Sequence, residues 1–273
     1  MTAIVIWLNN ENPANPSLWI ASDSRVSKHD TTLIDDAVKI FALPIVCRSP
    51  GKEGFFSHLS YFHTYGYCFA GNTLLGQNTF LALIPLLSNL ATVERYIPQM
   101  SDVADFILEY LSRAFDDYKV IAREQAAIEV ALFGWCHVTN KQHIFHYHPN
   151  RENNVWRLKC EHHTDLKEKS FVYLGDHKPE MRQKIKDAFN GNGEYDQPLS
   201  RIPRSVIEEQ IQNGTYASIG GDLQLGIADM FGFRPFAICK FRVHGESQAD
   251  LTYLGYDIHK TVGDAFIGLQ GMH

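Results

Sequence analysis

Two short segments near the start, "AIVIWL" and "SLWIAS", are apolar at nearly every position. A strand with one wet face alternates apolar and polar residues, whereas a strand apolar on both faces has to lie between two covering layers. That requirement narrows the fold more than anything else in the chain. Between the segments runs "NNENPANPS", with two prolines and four asparagines, a turn or loop signature. The pair therefore reads as an antiparallel hairpin. In such a hairpin the start of the first strand lies beside the end of the second, so Thr2 is expected next to "SDSR", Ser22 to Arg25.

Further strands are expected in "DDAVKIFALPIV" and "GYCFAG", with "CRSPGKEGFFSHLSYFHTY" between them as a long aromatic-rich loop or a distorted hairpin. The period then changes to helical. "NTLLGQNTFLALIPLLSNLATVERY" has Asn72 or Thr73 as N-cap and a kink at Pro85. "SDVADFILEYLSRAFDDYKVIAREQ" has Ser101 as N-cap, with Val103, Ile107, Leu111, Ala114 and Tyr118 on one stripe. Strands follow in "IEVALFGWCHV", "QHIFHYHP" and "KSFVYLG". Helices come next, opening at Pro179 and in "PRSVIEEQIQNG". "SIGGDLQLGIAD" and "RPFAICKFRV" form a closing hairpin, and "DLTYLGYDI" one more strand. Strands and helices in runs, with sheets apolar on both faces, imply an α+β fold in which two sheets stack between helical layers.

The chain has 273 residues, of which 45% are hydrophobic, enough for one large core, and no linker divides it. A net charge of -6 with no basic run excludes a nucleic-acid surface. "FLALIPLLSNLA" is broken by Pro85 and too short to span a bilayer, and the first apolar run is too short for a signal peptide. Five scattered cysteines without a C-x-x-C pair fit reduced thiols and a cytoplasmic protein.

Four residues carry chemistry. Removal of Met1 would give Thr2 a free amine beside its hydroxyl, nucleophile and base in one residue. Asp23 ends the second strand. Lys39 lies within the third, sharing a face with Phe41 and Leu43 by alternation, and a lysine there has to be paired or used. Asp23 is its natural partner, and a lysine near the Thr2 amine disfavours protonation of that amine. Gly71 closes the fourth strand just before a helix, where a free N–H can hold an oxyanion.

"TAIVIW…LWIASDSRVS…AVKIFALP…GYCFAGNTLLG" resembles the amino-terminal half of proteasome beta-type subunits and their bacterial relatives. In style it is nearest the heat-shock-locus V peptidase and the ancestral beta-subunit type. The resemblance implies a four-layer αββα sandwich of N-terminal-nucleophile hydrolases as a single domain, residues 2–273. It assigns catalysis to Thr2, Asp23, Lys39 and Gly71, the last preceded by Ala70. It implies a threonine peptidase with no metal or organic cofactor, acting on peptides or proteins from a homo-oligomeric ring or helical array, with an unfoldase as a possible partner. A small-amide hydrolase and a silent scaffold on the same fold are the alternatives. Arg25, Asp176 and Ser218 occupy supporting positions. The chain departs from the family's pattern in "LGDHKPE", where Asp176 replaces a common serine, and in "TYASIGGD". There Tyr216 and Ile219 stand in place of an aspartate and a serine, and Ser218 is one place out of register. The segment after about residue 243 is an atypical C-terminal extension.

The histidines around Cys136, at 137, 143, 146 and 148, and the pair His162–His163 match no strong ligand spacing. A zinc site, with His146 and His148 on one strand face, is the lesser alternative, and they are read as surface strand residues.

Overall fold

The computed structural model describes residues 2–28, 31–153, 155–191, 198–239 and 250–272. Strands dominate, and the described residues contain four α-helices. The opening hairpin forms as expected. β1 (Ala3–Asn9) pairs antiparallel with β2 (Ser17–Ser22), with Ile4 opposite Ser22. β3 (Ile40–Ser49) and β4 (His58–Gly71) form a second, long hairpin with a register shift at Cys47/Arg48. The aromatic-rich stretch is thus mostly ladder, a distorted hairpin with only residues 50–57 outside it.

Lys39 is a correction. It lies immediately before β3, not inside it, so strand alternation does not fix its direction and its side chain turns toward the end of β2.

α1 (Thr73–Leu87) is capped by Asn72, whose side chain accepts the Leu75 N–H at 3.0 Å, and Pro85 lies in its last turn. α2 (Met100–Ala122) starts from a Gln99 cap, two residues before the expected Ser101 cap; the Gln99 side chain makes no capping bond, and Ser101 is helical. Val103, Ile107 and Leu111 are buried on its inner stripe, with Ala114 and Tyr118 packed at the margin.

β5 (Ile128–Cys136), β6 (Lys141–Glu152), β7 (Val155–His163) and β8 (Phe171–Gly175) follow. Next come α3 (Lys178–Phe189), α4 (Ile202–Asn213), β9 (Gln224–Asp229), β10 (Gly232–Cys239) and β11 (Leu251–Tyr253). The last expected strand is split: Leu251–Tyr253 and Tyr256–Asp257 pair as a small hairpin. Residues 240–249, which hold the end of "RPFAICKFRV" and the start of the expected extension, lie outside the described residues. Within that extension Gly271–Met272 pairs parallel with β10, so the chain's end adds to the sheet.

The strands form two principal sheets. One has eight strands in the order β8-β1-β2-β9-β10-β11-(256–257), with Gly271–Met272 also on β10. The other has six, β7-β6-β5-β4-β3-(90–91). Three buried clusters account for the apolar residues. Leu43, Tyr67, Leu132 and Phe145 of the six-stranded sheet pack with Leu83 of α1 and Ile107 of α2. Val5, Ala21 and Tyr173 of the eight-stranded sheet pack with Ile185 of α3 and Val206 of α4. The third joins sheet to sheet, with Ile4, Ile6, Leu18 and Ile20 against Cys68, Ala131 and Phe133. Residues of β1 and β2 appear in two clusters by turns, which is why both strands read as apolar on both faces. Among the described residues no helix is long and apolar enough to cross a membrane.

Candidate active site

Thr2 sits at the head of β1, 5% exposed. Its carbonyl accepts the Asp176 N–H at 2.8 Å, tying the head of β1 to the end of β8. That contact depends on Gly175, which has φ +107°; a Cβ there would lie 1.9 Å from the Thr2 carbonyl oxygen. On the other side the β1–β2 register carries Asp23 next to Ala3. Asp23 Oδ1 accepts the Ala3 N–H at 2.9 Å, and the Asp23 N–H donates to the Ala3 carbonyl at 3.3 Å.

The same Oδ1 accepts the Lys39 ammonium at 2.8 Å, with the two side chains 0% and 2% exposed. Oδ2 accepts the N–H groups of Gly220 at 3.1 Å and Arg25 at 3.2 Å. Four donors surround one buried carboxylate, the condition under which a buried charge is tolerated. Burial draws the Lys39 pKa down, opposed by the Asp23 charge and hydrogen bond and then by the charge of Asp176.

Gly71 ends β4 with φ +99°, and a Cβ there would stand 2.5 Å from the Ala127 carbonyl oxygen. The following N–H, of Asn72, bonds that carbonyl at 3.0 Å. A Cβ on Gly175 would also come 3.5 Å from the Ala70 methyl, so the ends of β4 and β8 adjoin. Hydrogen bonds therefore join Asp23 and Lys39 to the residue after Thr2, and Gly71 stands at the neighbouring strand end. Met1 lies outside the described residues.

The three supporting positions differ from one another. The Arg25 guanidinium binds Asp35 at 2.6 Å and 3.3 Å and the Ala217 carbonyl at 3.4 Å, so its side chain braces the 217–220 turn. Asp176 meets Thr2 through its backbone, and its buried Oδ2 has no hydrogen-bond partner among the described residues. Ser218 is buried with its Oγ likewise unpartnered. Tyr216 stacks on His177 with ring centroids 3.8 Å apart, and Ile219 is core between the eight-stranded sheet and its helices.

Two elements were missed from sequence. Gln224 donates to the carbonyls of Asp23 at 3.0 Å and Ala37 at 3.1 Å and accepts the Lys39 N–H at 3.1 Å. It stitches the end of β2 to the approach to β3, and a lone glutamine in "DLQLGIAD" was its only signal. Glu129, opposite Ala70 in the β4–β5 ladder, binds Lys178 at 2.6 Å and His146 Nε2 at 2.7 Å. Burial works against that carboxylate, but His146 and Lys178 outweigh it and hold its pKa below the usual range. The reading of surface histidines is corrected for His146 and His143, while His162 is exposed as expected. His146 is 6% exposed, and His143, 7% exposed, faces His162 at 2.8 Å and Thr139 at 2.7 Å.

No protein-family profile and no curated protein matches the sequence. Solved structures do match in fold. The Anbu (Gly-1) mutant from Hyphomicrobium sp. strain MC1 aligns at TM-score 0.54 and 15% identity over 85% of each chain. Anbu, the ancestral beta-subunit, from Yersinia bercovieri aligns at 0.52 and 16%, over 84% of this chain and 82% of that one. The helical assembly of the Anbu complex from Pseudomonas aeruginosa aligns at 0.56 and 15%, over 90% and 88%. These findings correct the resemblance drawn from sequence, which placed the chain in the proteasome beta-type family with the heat-shock-locus V peptidase among its nearest forms. What stands is a likeness of fold to Anbu, a proteasome-like protein, at low identity.

Proposed function

We propose that the chain is a threonine peptidase that hydrolyses peptide bonds through Thr2, exposed by removal of Met1. The observation that carries the reading is the buried Lys39–Asp23 pair, whose shared Oδ1 also holds the N–H of the residue after Thr2. A fully buried ion pair is poor value for stability alone, and its place at the head of β1 gives it a chemical use. The Thr2 hydroxyl attacks the amide carbonyl while the Thr2 amine takes the hydroxyl proton and passes it to the leaving amine. The oxyanion is held by the Gly71 N–H. The resulting ester is hydrolysed by a water that the same amine deprotonates, returning free Thr2. Lys39, as a cation, disfavours protonation of that amine, and Asp23 orients Lys39. Arg25 and Gln224 act on the turn that holds Asp23.

The three buried clusters support a single four-layer αββα domain, with the C-terminal residues as an added edge. The helical assembly of the Pseudomonas aeruginosa Anbu supports a homo-oligomeric array here. Exposed Leu74 and Leu81 of α1 and Val120 and Ile121 of α2 are candidate contacts for it. Five scattered cysteines with no C-x-x-C pair fit a cytoplasmic setting. A silent scaffold is the second reading, favoured by Asp176 Oδ2 and Ser218 Oγ, which are buried with no hydrogen-bond partner among the described residues, and by Ile219 in the core.

Intact mass before and after incubation with an electrophile that traps terminal threonines separates the two. A peptidase loses Met1 and takes a single adduct that Thr2→Ala does not take. A chain that keeps Met1 and takes no adduct overturns the enzyme reading.

A further inference from the structure

A second cluster lies on the β6–β7 hairpin at the edge of the six-stranded sheet. The ladder sets His146 directly opposite Glu161. His163, two residues on from Glu161, falls on the same face. One ligand atom from each of the three lies within 4.8 Å of the others. Two imidazoles and a carboxylate are the donor set of first-row divalent ions, and three protein ligands leave a position for water.

Three details set this group apart from an ordinary strand surface. The Nε2 of His146 is engaged by Glu129 at 2.7 Å, which leaves Nδ1 as the nitrogen able to bind. A carboxylate behind a ligating histidine fixes the ring and strengthens it as a donor. Glu129 is itself anchored by Lys178. The Nε2 of His163 is buried without a hydrogen-bond partner among the described residues, and a buried polar atom of this kind calls for one. Glu161 is the exposed member, its side chain 44% accessible, and opens the group to solvent.

We propose that His146, Glu161 and His163 form a binding site for a divalent transition metal of the zinc class, with Glu129 as its outer carboxylate. Ligand atoms around a tetrahedral zinc stand ~3.4 Å apart, given bonds near 2.1 Å, so the group closes on the ion. Glu161 has the freedom to move inward. His148, whose Nε2 lies 3.2 Å from Glu161 Oε1, then gives up its hold on that carboxylate. The site uses none of the residues assigned to peptide hydrolysis and stands or falls separately.

The test is titration of chelator-stripped, untagged protein with Zn2+ by calorimetry, and with Co2+ by visible absorption. The expected result is one saturable equivalent with a tetrahedral or five-coordinate Co2+ spectrum. Glu161→Gln, on the exposed side, and His163→Gln should each weaken binding at least ~10-fold, and Glu129→Gln by ~10–100-fold. His143→Gln, in the separate His143–His162 pair, should leave affinity unchanged. Absence of saturable binding, or affinity insensitive to Glu161→Gln and His163→Gln, overturns the assignment. So does equal loss in His143→Gln.

Discussion

Replacing Asp23 with asparagine, and separately Lys39 with methionine, removes the two halves of one buried ion pair, and the structure makes the costs unequal. The Asp23 carboxylate accepts from Ala3 and Lys39 on one oxygen and from Gly220 and Arg25 on the other. An amide offers one accepting oxygen. Whichever way it turns, its NH2 group faces two donors and the lysine has no counter-charge. Each orphaned donor costs ~1–3 kcal/mol, and breaking a buried pair from one side costs ~3–5 kcal/mol.

Lys39→Met is different. Asp23 keeps three backbone N–H donors, so its charge is not stranded. One charge-assisted bond worth ~1.5–3 kcal/mol is lost, partly offset because the burial penalty of the ammonium goes with it. The expectation is about 4 kcal/mol for Asp23→Asn and about 1–2 kcal/mol for Lys39→Met. In urea, with a slope of ~3 kcal/mol per molar, the midpoints fall by more than ~1 M and by ~0.5 M. Both variants should lose electrophile trapping at Thr2, and Lys39→Met should lose it while remaining folded. A Lys39→Met cost equal to or above that of Asp23→Asn, at unchanged slope, would refute the four-donor account of Asp23.

Gly175→Ala should reduce electrophile trapping at Thr2 and lower the thermal midpoint, because its Cβ meets the Thr2 carbonyl at 1.9 Å and its φ of +107° suits glycine. Normal labelling kinetics in a folded Gly175→Ala would refute the clamp between β8 and the head of β1. His63, buried chiefly away from water and beside His137, has its pKa pushed down to about 4. The unfolded chain takes up that proton near pH ~6.5, so stability should fall as pH drops from there toward 4 and level off below. The loss is about 3 kcal/mol, and it should be missing from the wild-type minus His63→Gln difference only if His63 is not its source.

The parts legible in the sequence are those set by local pattern. β1 and β2 were found because a strand buried on both faces must be apolar at every position, and hairpin geometry alone then brought the head of β1, at Ala3, to Asp23. α1 with its Asn72 cap, and the inner stripe of α2, follow from a helical period read over a few turns. β7 escaped notice although Trp156, Leu158 and Cys160 alternate with charged residues in "VWRLKCEHH"; it is a largely exposed edge strand, and only Leu158 and Cys160 pack at the margin of the core.

The rest was decided by tertiary structure. Lys39 lies outside its strand, and its direction comes from Asp23, not from alternation. Gly220 and Gln224 reach Asp23 from about two hundred residues along the chain. Glu129, His146 and Lys178 meet because β5, β6 and the start of α3 converge. No period or spacing encodes such meetings. A buried charge is satisfied by whichever donors the packed sheets deliver to it, and those are fixed only once both sheets and their helices have closed around the head of β1.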